Sequence, residues 1–148
     1  MKVRAVSESE LNAVLALYGH LHSSDEPVPS IQIAEQVWQE LMENPRCRYI
    51  GGYDSEVLVS SCTVMVIPNL TRGCRPYAVI ENVVTHPNHR NKGWGKAILK
   101  SALEFAWEQQ CYKAMLSTGR KDEAVFKFYE AVGFSRTAKQ AFTATPDA

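Results

Sequence analysis

Apolar positions along this chain change their spacing from one stretch to the next, and each change marks an element. Val3 to Val6 predicts a short strand, and Leu11, Val14, Leu15, Tyr18 and Leu21 then fall at the three-and-four spacing of an amphipathic helix. Ser7-Glu8-Ser9-Glu10 supplies a capping box for that helix, which is expected to run out near His22. The stretch Ser23-Ser24-Asp25-Glu26-Pro27-Val28-Pro29 has loop chemistry. Ser30 is placed to cap a second helix carrying Ala34, Val37, Trp38, Leu41 and Met42, which Asn44-Pro45 ends. Arg48 to Tyr53 and Val57 to Ile67 predict a hairpin turning at Asp54-Ser55-Glu56, and Pro68 to Pro76 holds too many breakers for a strand.

A central strand is expected from near Tyr77 through the β-branched run Val79 to Thr85, ending where His86-Pro87 cannot continue a ladder. From about Gly93 to Gln110 the positions Ile98, Leu99, Ala102, Leu103, Phe105, Ala106 and Trp107 form the wide apolar face of a helix on a sheet. Tyr112 to Thr118 predicts a strand. Asp122 then caps a helix through Val125, Phe126, Phe128, Tyr129 and Val132 that Gly133 stops, and Lys139 to Ala144 predicts a last strand before a frayed tail. An antiparallel meander joined to helical crossovers is an α/β arrangement, a mixed sheet with helices on both faces, in one domain over residues 1–148.

Composition narrows the function. The 148 residues carry 16 Lys plus Arg against 16 Asp plus Glu, so no overall field draws in nucleic acid or an anionic membrane, and any phosphate site must be local. Cys47, Cys62, Cys74 and Cys111 show no Cys-x-x-Cys spacing, and the start Met-Lys-Val-Arg-Ala-Val has no apolar leader, so reduced thiols and a cytoplasmic location are expected.

The local site is the loop from Arg90 to Lys96. Two glycines one residue apart, flanked by Arg90, Lys92 and Lys96, allow successive backbone amides to turn into one small space at a helix start, which suits phosphate. A Walker-type loop is excluded, because Gly95-Lys96 is followed by Ala97 and Arg90 stands where the first glycine belongs. A dinucleotide fingerprint is excluded by Ile98, too large for its third glycine.

The spacing Arg90-x-x-Gly93-x-Gly95 behind Val-Val-Thr-His-Pro resembles the acyl-CoA loop of the GNAT superfamily of N-acetyltransferases, and Phe128-Tyr129-Glu130-Ala131-Val132-Gly133-Phe134 is similar to that family's second recurrent stretch. The resemblance implies a mostly antiparallel sheet whose fourth and fifth strands splay apart, with acetyl-CoA as co-substrate in the cleft. It assigns the diphosphate to the amides of Asn91, Lys92, Gly93, Trp94, Gly95 and Lys96, with Arg90 at the lip, and pairs the pantetheine arm with Val83, Val84 and Thr85. Tyr129 takes the place of the family's tyrosine, which protonates the leaving thiolate, although its apolar neighbours equally suit a core aromatic. Asp122 stands where many relatives carry an asparagine that touches the cofactor, and an ionised aspartate cannot donate there. Glu81 is the candidate general base; an ion pair or a specificity contact would also explain it, and the fifth-strand glutamate of relatives is replaced near Ser117.

His20-x-His22 and His86-x-x-His89 each offer only two ligands, so no metal site is assigned. The expected activity is acetyl transfer from acetyl-CoA to the amine of a small-molecule acceptor by direct attack in a ternary complex. A non-catalytic acyl-CoA sensor or partner-binding module, and transfer of a longer acyl group, remain alternatives. A homodimer is expected by analogy with the family.

Overall fold

In the computed structural model, which describes residues 1–22 and 24–147, the strands form one mixed sheet in the order β1 (Lys2–Ala5), β2 (Cys47–Asp54), β3 (Val57–Ile67), β4 (Tyr77–Thr85) and β5 (Ala114–Met115). Ser23 of the expected first loop and Ala148 of the tail lie outside the described residues. β1 to β4 pair antiparallel, and β5 lies parallel to β4. The helices are α1 (Leu11–Tyr18), α2 (Ile31–Glu43), the one-turn α3 (Thr71–Cys74), α4 (Trp94–Glu108) and α5 (Glu123–Val132), with 3-10 turns at Glu8–Glu10 and Pro87–His89. The chain divides into two compact units, Met1–Leu116 and Ser117–Ala148.

In the first unit, α4 covers one face of the sheet and α1 with α2 cover the other. Ile98, Leu99, Ala102 and Phe105 are buried on the α4 side, where the Cys62 thiol reaches Ile98 O at 3.9 Å. Val6, Val14, Trp38 and Tyr49 form the opposite core, in which the Trp38 and Tyr49 rings meet edge to face with centroids 4.8 Å apart. Trp38 Nε1 donates to Glu8 O at 2.7 Å and ties α2 to the chain entering α1. Glu10 accepts from the Ser7 amide at 2.7 Å, from both Arg4 Nη atoms at 2.9 and 3.1 Å, and from the Tyr53 hydroxyl at 3.1 Å. These donors, the Arg4 guanidinium first, hold its carboxyl at about 2.

Three expectations are corrected. α1 stops at Tyr18, and Leu21 lies in a turn closed by Leu21 N donating to Tyr18 O, because Gly19 follows the last helical residue. The loop after β3 holds no strand, as expected, and contains a tight turn in which Arg72, Gly73 and Cys74 all have positive φ. The strand expected over Tyr112 to Thr118 is only Ala114–Met115, because its ladder with Ala78 and Val79 of β4 ends there. The strand expected over Lys139 to Ala144 does not form: a strand requires a partner ladder, and in this stretch Phe142 is 92% exposed.

β4 carries one feature that the alternation of its sequence conceals. Ser61 of β3 lies opposite Val84 while Thr63 lies opposite Glu81, so β4 spends one more residue than β3 between the two pairs. This is a β-bulge, and Asn82 occupies it with φ +54°, a conformation asparagine tolerates better than most residues. The bulge puts Glu81 and Val84, three positions apart, on one face.

The second unit is built on α5. The Asp122 carboxylate accepts from Val125 N at 3.0 Å as N-cap, and Gly133, at φ +115°, closes the other end by donating to Glu130 O and Tyr129 O. Arg136 bonds Glu123 and Glu130 and lies over the Phe126 ring at 4.9 Å.

Candidate active site

After Val79, β4 continues through Ile80–Thr85 with β3 on one side and no strand partner on the other among the described residues. The ladder between β4 and β5 therefore ends at this point, leaving an edge of β4 that is open in the sense that no strand pairs with it. Two carbonyls of the stretch are engaged internally: Val84 O accepts from Ser60 Oγ at 3.0 Å, and Thr85 O accepts from Arg90 Nε at 3.1 Å.

The chain then makes a short turn and enters α4. Asn91 has φ +60° and Gly93 +88°; at Gly93 this left-handed conformation favours the residue without a Cβ. No side chain caps the helix, and its first hydrogen bond runs from Ala97 N to Gly93 O. The amides of Trp94, Gly95 and Lys96 precede that bond and point out of the helix start, where the helix dipole favours an anion. Trp94 itself is buried, so it offers the site only its amide. Its indole packs over Gly52 of β2.

The cations are placed less freely than the sequence suggests. Arg90 is drawn back to Thr85 O and, through Nη2, to His20 O at 3.5 Å, and Lys92 Nζ donates to Asn88 O at 3.0 Å. Arg90 thereby joins the end of β4 to the turn after α1. His20 and His86, from separate motifs, meet with ring centroids 4.6 Å apart, and His86 approaches His89 at 5.7 Å. His86 Nδ1 accepts from Asn88 N at 3.1 Å and caps the 3-10 turn. Desolvation, then the neighbouring His20, His89 and Arg90, hold its imidazole below the usual value of 6.5.

On the α1 and α2 face, exposed Glu81 stands opposite Thr63, which in turn stands opposite Tyr49. The hydroxyls of Thr63, Ser61 and Tyr18 are buried there without a hydrogen-bond partner among the described residues. Each such orphan costs roughly 1–3 kcal/mol. Nothing local in the sequence marks this cluster, because it assembles from α1 and the sheet. Tyr18 and Tyr49 also line an apolar groove of about 220 Å³ between α1, α2 and the segment carrying Val28 and Pro29.

In the second unit Tyr129 is half-buried on α5, with the Phe128 and Phe134 rings at 5.0 and 6.2 Å. Asp122 has both oxygens engaged, one by Val125 N and the other by Arg120 at 2.9 and 3.1 Å. The helix cap first and Arg120 after it hold its carboxyl below the usual range. Among the described residues no group of three or more His, Cys, Asp or Glu is placed to hold a metal ion.

An open strand edge running into an uncapped helix start offers unpaired backbone donors beside an anion-favouring end, and comparison with known proteins places the chain in a family. Residues 13–134 match the Acetyltransferase (GNAT) family. Glucosamine 6-phosphate N-acetyltransferase of Trypanosoma brucei brucei is 29% identical over 140 residues, spanning 95% of this chain and 92% of the relative. A solved structure from Agrobacterium tumefaciens assigned to the acetyltransferases superposes with a TM-score of 0.91 at 38% identity, covering 99% of this chain and 100% of the other. Glucosamine-6-phosphate N-acetyltransferase of Arabidopsis thaliana shares the fold with a TM-score of 0.82 at 21% identity, covering 98% of each chain. The chain belongs to the acetyltransferase (GNAT) family and is an acetyl-CoA-dependent N-acetyltransferase.

Proposed function

We propose that the bend from Arg90 to Lys96 holds the diphosphate of acetyl-CoA and that the acetyl group passes to the primary amine of a small molecule, with amino-sugar phosphates the first class to test. The observation that carries this reading is the open edge Ile80–Thr85 leading directly into the uncapped start of α4. The amides of Asn91, Lys92, Gly93, Trp94, Gly95 and Lys96 donate to the phosphate oxygens. The pantetheine arm pairs with Val83, Val84 and Thr85 as an added strand, and one of these amides faces the thioester oxygen as charge develops on it. Glu81 takes a proton from the acceptor ammonium, the neutral amine attacks the thioester carbon, the C–S bond breaks as the departing thiolate receives the Tyr129 proton, and the proton that the new amide nitrogen sheds restores the phenol through solvent. Asp122 joins the cofactor site only by releasing Arg120. The amino-sugar class is supported by the Trypanosoma relative, whose name specifies glucosamine 6-phosphate.

The reading includes a homodimer, supported by the exposed Phe142 in a stretch of strand-forming pattern, and a reducing cytoplasmic setting, supported by four free cysteines. Mass measurement in solution tests the first. The activity is tested by acetyl-CoA titration and by transfer to glucosamine 6-phosphate, glucosamine, a polyamine and a lysine-rich peptide. Tyr129→Phe is expected to lower turnover and leave the acetyl-CoA Kd nearly intact. Unchanged turnover rejects Tyr129 as the acid, and absence of saturable acetyl-CoA binding rejects the loop assignment.

A further inference from the structure

Three hydroxyls that the chemistry above does not use gather beside Glu81. Ser61 Oγ and Thr63 Oγ1 project from the same face of β3, and Tyr18 Oη, from the last residue of α1, faces Thr63; none of the three completes a hydrogen bond among the described residues. Ser61 is fully buried and Thr63 is 9% exposed. Directly opposed residues of an antiparallel pair share a face, so Tyr49, Thr63 and Glu81 form one row across the sheet, with Ser61 beside it opposite Val84. Tyr18 faces Thr63, Tyr49 and Asn82.

Buried polar groups that face one another without completing a hydrogen bond are the setting in which an ordered water bridges, and three hydroxyls with the Asn82 side chain facing Tyr18 supply the two to four partners such a water requires. Alanine or valine would fill the β3 positions with no orphaned group. Hydroxyls retained at a cost to stability, next to a carboxylate, mark a place where positioning is needed.

We propose that Tyr18, Ser61 and Thr63 hold an ordered water against the Glu81 carboxylate and so aim it at the acceptor amine, which makes them positioning residues. The water accepts from these hydroxyls and donates to one carboxylate oxygen, leaving the other oxygen for the ammonium. This inference rests on the role proposed above for Glu81.

Thr63→Val and Ser61→Ala, with Thr63→Ser and Glu81→Gln beside them, provide the test. Thr63→Val and Ser61→Ala are expected to melt at or above the wild-type midpoint and to bind acetyl-CoA unchanged. Their kcat/KM falls about tenfold, a part of the two to four powers of ten that a positioned base supplies. The acid limb of their pH–rate profile shifts, and Thr63→Ser restores most of the rate. Loss of the acid limb in Glu81→Gln with unchanged rate and limb in both Thr63→Val and Ser61→Ala overturns the water site alone. An unchanged limb in Glu81→Gln overturns the base, and the water site with it. A crystal structure showing no water density between Tyr18 Oη, Ser61 Oγ and Thr63 Oγ1 overturns the proposal independently of any rate.

Discussion

Replacing Gly52 by alanine tests the link between the sheet and the proposed cofactor loop. A Cβ at this position would stand 2.9 Å from Trp94 Cε3 and 3.4 Å from both Ile98 Cγ2 and Ser60 Cβ. Carbon atoms rest at about 3.5–4.0 Å, so the indole must retreat by roughly 0.6 Å or more. Ser60 cannot yield in its place, because its hydroxyl is bonded to Val84 O at 3.0 Å and to the Thr85 hydroxyl at 2.8 Å. The strain therefore moves Trp94, the first residue of α4, and with it the amides proposed to grip the diphosphate. Overpacking of this kind costs about 1–3 kcal/mol. At roughly 2–4 °C per kcal/mol for a chain of this size, the melting midpoint falls by about 2–12 °C. If about 1 kcal/mol of the strain reaches the loop, the acetyl-CoA Kd rises about fivefold. Gly51→Ala is the control. Its Cβ meets Tyr53 Cε2 at 2.7 Å and Leu58 Cδ1 at 2.8 Å, away from Trp94, so it should lower the midpoint at least as far and leave the Kd within about twofold. Calorimetric melting and isothermal titration read both quantities. A destabilised Gly52→Ala that binds like the wild type, or a Gly51→Ala that loses as much affinity, refutes the reasoning.

Two further outcomes concern pH. The Glu10 carboxyl is lowered from 4.5 to about 2, so its contribution to stability is complete above 4.5 and is lost as the pH falls from there through 2. With Arg4 35% exposed, solvent screening leaves about 1–2 kcal/mol; Glu10→Gln should lose that much at neutral pH and flatten the acid melting profile, as denaturant titration across this range will check. His86 is lowered from 6.5 and caps its turn as the neutral imidazole, so that contribution is present above 6.5 and declines as the pH falls through the lowered value. Acetyl-CoA affinity should weaken as the pH is taken below 6.5, and His86→Asn, which keeps a capping acceptor, should weaken less in paired titrations; equal pH dependence in the two proteins would exclude His86.

Much of the fold was legible because most of its elements carry local signals. β3 spans Val57–Ile67 as its β-branched run predicts, and α2 lies between the Ser30 cap and Asn44. The bend ahead of α4 was readable because a left-handed conformation before a helix favours glycine, and Gly93 provides it. What escaped depends on partners distant in sequence. The segment Lys139 to Ala144 has strand propensity without a ladder, and propensity alone cannot supply one. The contact of Trp94 with Gly52 and the grouping of Tyr18, Ser61 and Thr63 arise only when α1, α4 and the sheet are packed. The bulge did leave a trace: Glu81-Asn82 sets two consecutive polar residues inside an apolar run, which a regular strand with one wet face would not show. Tyr129 owes its proposed role entirely to the Tyr-Glu-x-x-Gly-Phe context, since its immediate neighbours would suit a core aromatic equally well.

The extra residue at Asn82 makes β4 two independent half-strands in terms of side-chain phase. Deleting it would leave Glu81 and Val84 two positions apart and still on one face, whereas keeping it in a regular, unbulged strand would send Glu81, and everything before it, to the opposite side relative to Val84. On the proposed assignment of Glu81, substitution within Val79–Glu81 changes what the protein presents to an incoming amine while the extra residue lets Val83–Thr85 keep their alignment. If that assignment and the pairing of Val83–Thr85 with the pantetheine arm both hold, acceptor preference can diversify on this scaffold without retuning its grip on the donor.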